Sequence, residues 1–132
     1  MLELYEGEAD IGPERDASMF VPPDGVFVVV RDESGRAVAC GGVARYDETR
    51  GEVKRMYVVP DRRGRGLGRR VLEELEAHAR ALGYRSLVLE TGDRQAPALG
   101  LYLSAGFERI PCWPPYDSRS LSLCLEKRLE GC

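Results

Sequence analysis

The chain has 132 residues, of which 43% are hydrophobic and 31% are charged, and its formal net charge is −3. This length allows one domain with one core and is too short for two. The longest apolar run, residues 26–30, is far shorter than a membrane span, and the acidic start of the sequence resembles no secretory signal. We therefore expect a cytoplasmic protein that does not bind membranes.

The N-terminal residues 1–19 are acidic and weakly patterned. Leu2, Tyr5 and Ala9 fit one face of a short helix, and no strand is evident before residue 26.

Three antiparallel strands are predicted in the first half of the chain. β-Branched and aromatic residues favour extended structure, and turn residues separate the three runs. Within the second run, Gly41-Gly42 indicates a bulge or a close approach of backbone. The predicted strands cover residues 26–31, 37–45 and 52–59.

The second half of the chain predicts a helix and then alternating elements. Apolar residues from Leu67 to Leu82 recur on one face of a helix, and Gly83 ends it. The later predicted elements are a strand over 85–90, a helix over 97–105 and strands over 107–110 and 121–125. This order indicates a mixed α/β sheet with helices on its faces.

The cysteines give no sign of a metal site. Cys40, Cys112, Cys124 and Cys132 are widely spaced without a C-x-x-C pair, and the chain has one histidine. The sequence therefore predicts no bound metal. We expect free thiols, as in a reducing cytosol, while a disulfide between two of the four stays open.

A glycine-rich turn, Arg63-Gly64-Arg65-Gly66-Leu67-Gly68-Arg69, joins the third strand to the long helix. Glycines let backbone N–H groups approach a phosphate, and a helix N-terminus adds partial positive charge. Arginines add charge-assisted hydrogen bonds. The turn therefore predicts a site for a pyrophosphate-bearing cofactor.

Three other classes of protein fit less well. No Gly-Lys-Ser/Thr ends the turn, as a P-loop requires, and the glycine order differs from that of a Rossmann unit. Seven basic residues lie between Lys54 and Arg70, but the net acidity of the chain argues against a nucleic-acid partner.

Two motifs, in order, resemble the GNAT superfamily of acetyl-CoA-dependent N-acetyltransferases. Arg63-x-x-Gly66-x-Gly68 matches the superfamily's (Gln or Arg)-x-x-Gly-x-(Gly or Ala) pattern. Ala98-x-x-Leu101-Tyr102-x-x-x-Gly106-Phe107 resembles its second conserved helix.

The resemblance covers about residues 26–127, and Glu52 to Val58 and Leu89-Glu90-Thr91 also look like bacterial members. It implies one domain over 1–132, with a mostly antiparallel mixed sheet splayed in a V and helices on both faces. The family's first strand and helix are expected to be shortened here, and a homodimer would compensate for that.

The resemblance implies acetyl-CoA as co-substrate, lying between the strands 52–59 and 85–90. The turn would hold its pyrophosphate, and the Val58 N–H would hold the thioester carbonyl oxygen, where negative charge grows during transfer. Gln95 stands where the family often has a cofactor-contacting asparagine. The expected cofactor-binding residues are Met56, Tyr57, Val58, Arg63, Gly64, Arg65, Gly66, Leu67, Gly68, Arg69, Gln95, Ala98 and Tyr102.

The implied reaction is acetyl transfer to a primary amine by direct attack in a ternary complex. Tyr102 matches the family's tyrosine that gives a proton to the departing thiolate. Glu52 stands where some members keep a general base, although it also fits a solvated residue facing Lys54 or Arg55. The alternative function is a module of the same fold that senses acyl-CoA without turnover.

The acceptor is less defined by the sequence. Tyr46 and Glu48 precede the reactive strand, and Trp113 and Tyr116 lie in a late loop. In this fold both loops flank the amine side, and acids with aromatics suit a cationic small-molecule or peptide amine. The identity of the amine stays open.

Overall fold

The computed structural model of this protein describes residues 2–5, 17–92, 96–114, 116–118 and 122–129. Within these ranges, seven strands form one sheet and two α-helices pack against it. The strands are β1 (Leu2–Tyr5), β2 (Val26–Arg31), β3 (Ala37–Arg45), β4 (Arg50–Val58), β5 (Ser86–Gly92), β6 (Glu108–Ile110) and β7 (Ser122–Arg128). The α-helices are α1 (Leu67–Ala81) and α2 (Ala96–Ser104).

The sheet has the order β1-β2-β3-β4-β5-β7-β6. Neighbouring strands run antiparallel throughout, except for the parallel pair β4 and β5. The helix α1 makes the crossover that a parallel pair requires. The expected mixed, mostly antiparallel sheet is therefore confirmed.

The expectation for the N-terminus is wrong at residues 2–5. These residues form β1, which pairs antiparallel with β2 from Leu2 opposite Val30 to Tyr5 opposite Phe27. A segment of four residues is too short for its apolar pattern to distinguish a strand from a helix. Residues 2–5 form a strand because the edge of β2 supplies hydrogen-bond partners for their backbone. Ala9 lies outside the described residues.

The core lies on both faces of the sheet, because side chains alternate along each strand. Val28 of β2 packs in one cluster with Val71 and Leu75 of α1, which are fully buried. Phe27 of β2 packs in a second cluster with Phe20, at the end of the 3₁₀ helix Ala17–Phe20. Helical segments therefore cover both faces.

The expectation of free thiols is wrong for two cysteines, because Cys112 and Cys124 form a disulfide with their Cα atoms 5.1 Å apart. The pairing of β6 with β7 sets Ile110 opposite Cys124 and brings the following Cys112 near. That register is not visible in the spacing of the cysteines. Cys40 is free, and Cys132 lies outside the described residues.

None of the helices in the described ranges is both long and apolar enough to span a membrane.

Candidate active site

A cleft opens between β4 and β5, where the two strands separate. They pair only at Arg50–Ser86, Gly51–Leu87 and Glu52–Val88, and both continue beyond that point. The cleft measures about 1130 Å³, at the upper end of the volumes of about 300–1,000 Å³ that small-molecule sites usually have. The V-shaped opening expected from the sequence is present.

The cleft brings together most of the predicted site residues. Its lining includes Glu52, Met56, Tyr57, Val58, Arg63, Gly64, Gly66, Leu67, Gly68, Arg69, Ala98, Tyr102 and Tyr116. Arg65 is exposed beside the cleft and is not part of its lining, and Gln95 lies outside the described residues.

The glycine turn, residues 63–69, forms one end of the cleft. Gly64 and Gly66 both have φ of 80°, in the left-handed region, and a Cβ on either would meet no atom within 4 Å. Gly66 immediately precedes α1, whose first N–H groups have no intrahelical acceptor. Open space and unpaired N–H groups at a helix N-terminus fit a pyrophosphate.

The arginines of the turn partly hold the protein itself together. The Arg63 Nε donates a hydrogen bond to the Val58 carbonyl at 2.9 Å, and its guanidinium lies 5.6 Å from the Tyr57 ring centroid. The Arg69 guanidinium donates to the Ser104 Oγ of α2. These contacts fix the turn against β4 and α2.

Gly68 sets the distance between the two helices. A Cβ at this position would lie 3.0 Å from a Cδ of Leu101, the neighbour of Tyr102 on α2. A small residue fits at position 68 because α2 passes directly beside it.

Two ion pairs fix the segment that leads into the glycine turn. Asp61 and Arg62 lie in the 3₁₀ helix Pro60–Arg62. Asp61 accepts two hydrogen bonds of 3.0 Å from Arg36, and Arg62 donates one of 3.0 Å to Asp32. The hairpin between β2 and β3 thus supports the turn from outside the cleft.

β4 carries a bulge in the wall of the cleft. Its register against β3 shifts between Cys40–Tyr57 and Gly42–Lys54, which leaves one extra residue in β4. Arg55, at this shift, has φ of 62°. The Gly41-Gly42 expectation is confirmed, since a bulge is present and a Cβ on Gly41 would lie 2.5 Å from the Met56 Sδ.

Beyond Glu52, the side of β4 that faces β5 has no strand partner in the described sheet. Such an edge offers backbone N–H and C=O groups to an extended ligand, which can bind like an added strand. Met56, Tyr57 and Val58, three of the expected cofactor-binding residues, lie on this stretch, where the pantetheine arm of acetyl-CoA is expected to run.

Tyr102 enters the cleft from α2. Its side chain is only 7% exposed, and its ring packs edge-on against Phe107 with centroids 5.8 Å apart. Burial raises the pKa of Tyr102 to about 12. The phenol therefore stays protonated at every ordinary assay pH, which a proton donor requires.

Glu52 lies in the cleft wall where β4 and β5 stop pairing. Burial raises the pKa of Glu52 above its ordinary value; Lys54 opposes that shift and the negative charge of Glu90 adds to it. A Glu52 carboxylate oxygen lies 3.5 Å from the Lys54 Nζ. The side chain is thus partly buried and ion-paired, so both the base role and the pairing with Lys54 fit its position.

The predicted acceptor residues separate into two groups. Trp113 contacts Tyr46 and Tyr116 edge-on, with ring centroids 5.1 and 6.1 Å apart, and Tyr116 reaches the cleft. Glu48 is exposed in the turn between β3 and β4 and does not line the cleft.

Sequence reasoning missed four charged residues in the cleft: Lys54, Arg55, Arg62 and Glu90. The strand predicted over 85–90 ends at Glu90, but β5 continues to Gly92 and keeps Glu90 and Thr91 in the wall. The signal was the β-branched Thr91 after the apolar run, which favours extended structure.

The sequence matches the profile of the acetyltransferase (GNAT) family over residues 2–107, most of the chain. The chain belongs to this family. GNAT acetyltransferases use acetyl-CoA, and this chain is an acetyl-CoA-dependent acetyltransferase. In the described ranges, no group of three or more His, Cys, Asp or Glu residues is arranged to hold a metal ion.

Relatives of this GNAT acetyltransferase span most of its length. An IAA acetyltransferase of Azospirillum brasilense is 45% identical over 128 residues, covering 96% of this chain and 82% of the relative. A Klebsiella pneumoniae structure assigned to the acyl-CoA N-acyltransferases is 38% identical, with a TM-score of 0.79, covering 86% of this chain and 79% of its own.

A more distant structure shares the fold. A GNAT acetyltransferase of Elizabethkingia anophelis with acetyl-CoA bound has a TM-score of 0.71 at 17% identity, covering 97% of this chain and 98% of its own.

Proposed function

We propose that this GNAT acetyltransferase moves the acetyl group directly from acetyl-CoA to a primary amine while both substrates are bound to one domain, residues 1–132. The observation that carries the proposal is a single cleft with the glycine turn at one end and buried Tyr102 in its wall. A catalyst of acetyl transfer needs both a phosphate-binding turn and a proton donor, whereas a module that only binds acyl-CoA needs the turn alone.

The bound amine must lose a proton before it attacks, because free amines have a pKa of about 10. Glu52 is the base in this proposal. Its carboxylate lies where the strands separate, and burial raises its pKa toward the range in which a carboxylate accepts protons usefully. The Lys54 ammonium, 3.5 Å away, opposes this rise in the pKa of Glu52.

Tyr102 supplies the proton that the departing thiolate needs. Its pKa of about 12 makes it a weaker acid than an exposed tyrosine. Its contribution is therefore a proton that is present at all working pH values and a hydrogen bond that strengthens as charge collects on sulfur.

The acceptor in this proposal carries an ammonium group before it reacts. Tyr116 offers an aromatic face at the cleft, extended outward by Trp113 and Tyr46, and Glu52 and Glu90 are acidic groups in its walls. An ammonium is attracted by both features. The Arg50 guanidinium, 4.8 Å from the Tyr46 ring centroid, already uses that ring as a cation partner.

A shortened N-terminal strand would favour the alternative, a sensing module without turnover, but β1 is present and pairs with β2. The same strand removes the argument for a homodimer. A homodimer and a cytoplasmic location stay predictions, and light scattering on the purified chain measures the oligomeric state.

Tyr102→Phe tests the proposal through release of the CoA thiol across a panel of amines. We expect turnover to fall by about 100-fold or more, since proton transfer contributes about 10²–10⁴-fold, while the affinity for acetyl-CoA stays unchanged. Tyr84→Phe is the matched control, because the Tyr84 hydroxyl donates to the Asp24 carbonyl at 2.6 Å, outside the cleft.

Undiminished turnover in Tyr102→Phe would remove this residue from the mechanism. Tight binding of CoA by the unmodified chain, with no thiol release on any amine, would instead favour the sensing module.

A further inference from the structure

Two opposite charges in the cleft have no ion-pair partner among the described residues: Arg55 on β4 and Glu90 on β5. Glu52 and Lys54, which share the cleft, pair with each other at 3.5 Å. Arg62, also in the lining, pairs with Asp32 at 3.0 Å. Arg63 and Arg69 also have no acidic partner among the described residues, but they belong to the glycine turn, so Arg55 and Glu90 are the charges left for a ligand in the rest of the cleft.

Arg55 combines two unfavourable features. Its φ of 62° lies in the left-handed region, which residues with a side chain seldom adopt. Its Nε is buried without a hydrogen-bond partner, although buried donors are almost always satisfied. Features of this kind persist where the fold enforces them and are concentrated at binding sites.

Arg55 also lies at the acceptor end of the cleft. It precedes Met56, Tyr57 and Val58, the stretch proposed to contact pantetheine, and the glycine turn follows them. Along β4, Arg55 therefore lies on the Glu52 side of this stretch and away from the glycine turn. A second anion for Arg55 has to come from the other substrate.

Glu90 faces this region from the opposite wall. Glu52 is opposite Val88 in the last β4–β5 pair, so Glu90 is two residues further into the opening. The Ser122 Oγ donates a hydrogen bond of 2.9 Å to its carboxylate. This bond orients the carboxylate and leaves it lone pairs for a further donor.

We propose that the acceptor is an amino-acid-type zwitterion, a primary amine that also carries a carboxylate. Arg55 binds the carboxylate and Glu90 attracts the ammonium. Guanidinium groups match the planar geometry of carboxylates and bind them with two hydrogen bonds. This inference rests on the proposed function, because it assigns the second substrate of the same cleft.

The test compares matched acceptors that differ only in the carboxylate: tryptophan with tryptamine, phenylalanine with phenethylamine, and lysine with cadaverine. Thiol release from acetyl-CoA gives kcat/KM for each. For at least one pair we expect the amino acid to exceed its decarboxylated partner by about tenfold or more, the effect of one charge-assisted hydrogen bond.

Arg55→Asn should abolish that preference, and asparagine tolerates the left-handed backbone at this position. We expect kcat/KM for the amino acid to fall by about 10–100-fold, with the decarboxylated amine changed little. Glu90→Gln should weaken both members of a pair alike, since both carry the ammonium. Arg85→Asn is the control, because Arg85 is exposed and outside the cleft.

Equal use of both members of every pair by the unmodified enzyme, or an unchanged preference in Arg55→Asn, would overturn this inference and leave the proposed function intact. Thiol release with none of these amines or of the wider panel would overturn the proposed function itself.

Discussion

The two ends of the cleft between β4 and β5 are built from different parts of the chain. The phosphate end consists of backbone, namely the N–H groups of the glycine turn and the first turn of α1. The acceptor end consists of side chains, with charges on β4 and β5 and aromatic rings reaching in from two loops. Backbone can bind the co-substrate that a whole family shares, whereas side chains can change from one member to the next.

The largest effect should come from Gly66→Val, which breaks the phosphate end. Valine is strained at φ of 80°, so the N–H groups of the turn reorient and the affinity for acetyl-CoA falls. We expect about a 100-fold loss, equivalent to two charge-assisted hydrogen bonds, in isothermal titration calorimetry.

Gly35→Val is the matched control for that change. Gly35 has φ of 89° and, like Gly66, no atom within 4 Å of a Cβ, but it lies in the β2–β3 hairpin. Both variants should lose about 1–2 kcal/mol of unfolding free energy, and only Gly66→Val should lose affinity. If both variants bound acetyl-CoA with equal affinity, the glycine turn would not be part of the cofactor site.

A comparable effect, confined to turnover, should come from Glu52→Gln at the acceptor end. Burial raises the pKa of Glu52, so the unmodified enzyme should gain kcat/KM as pH rises through a value above the ordinary one for glutamate. The variant should lose that rise and about 100-fold in rate, while its affinity for acetyl-CoA is retained.

A pH–rate profile measures this change. Glu126→Gln serves as control, because Glu126 accepts a hydrogen bond of 2.7 Å from Ser86 and does not line the cleft. A profile of Glu52→Gln that overlays the unmodified enzyme would assign proton removal to another group.

The smallest effect should come from Asp32→Asn, which tests the support behind the phosphate end. The pKa of Asp32 is lowered to about 2, chiefly by the Ser34 hydroxyl, with backbone N–H groups and Arg62 contributing. A lowered folded-state pKa adds stability above the ordinary value of about 4, and this stability is lost as pH falls toward 2.

Urea unfolding at pH 6 and at pH 2.5 measures the difference. The unmodified chain should be more stable than Asp32→Asn at pH 6, and the gap should narrow at pH 2.5. A gap that does not depend on pH would mean that the Asp32 charge contributes nothing to stability.

The sequence predicted the elements that have strong internal patterns. The strands over 26–31 and 37–45 have the bounds of β2 and β3, and the apolar face from Leu67 onward identified α1. β1 and the end of β5 were missed because short segments are decided by their neighbours in the sheet. The disulfide was missed for the same reason, since it depends on the β6–β7 register.

The same contrast applies to the site. The glycine turn and the Tyr102 motif are local patterns with a fixed chemistry, so the sequence shows them directly. Arg55 and Glu90 both line the cleft because β4 has a bulge and because β4 pairs with β5 over only three residues. Gly41-Gly42 indicates the bulge, but no sequence pattern shows that Arg55 lies at it or that β4 and β5 stop pairing after Glu52.

The close passage of Gly68 beside Leu101 joins the glycine turn to the helix that carries Tyr102. Packed interiors transmit displacements because they contain little free volume. A methyl group at residue 68 would require the end of the Leu101 side chain to shift by a few tenths of an ångström, as the Gly-or-Ala pattern of the family allows, whereas a larger side chain would displace α2 and with it the phenol of Tyr102. Such a substitution in the glycine turn would then lower the rate of acetyl transfer, even if the thioester substrate still bound.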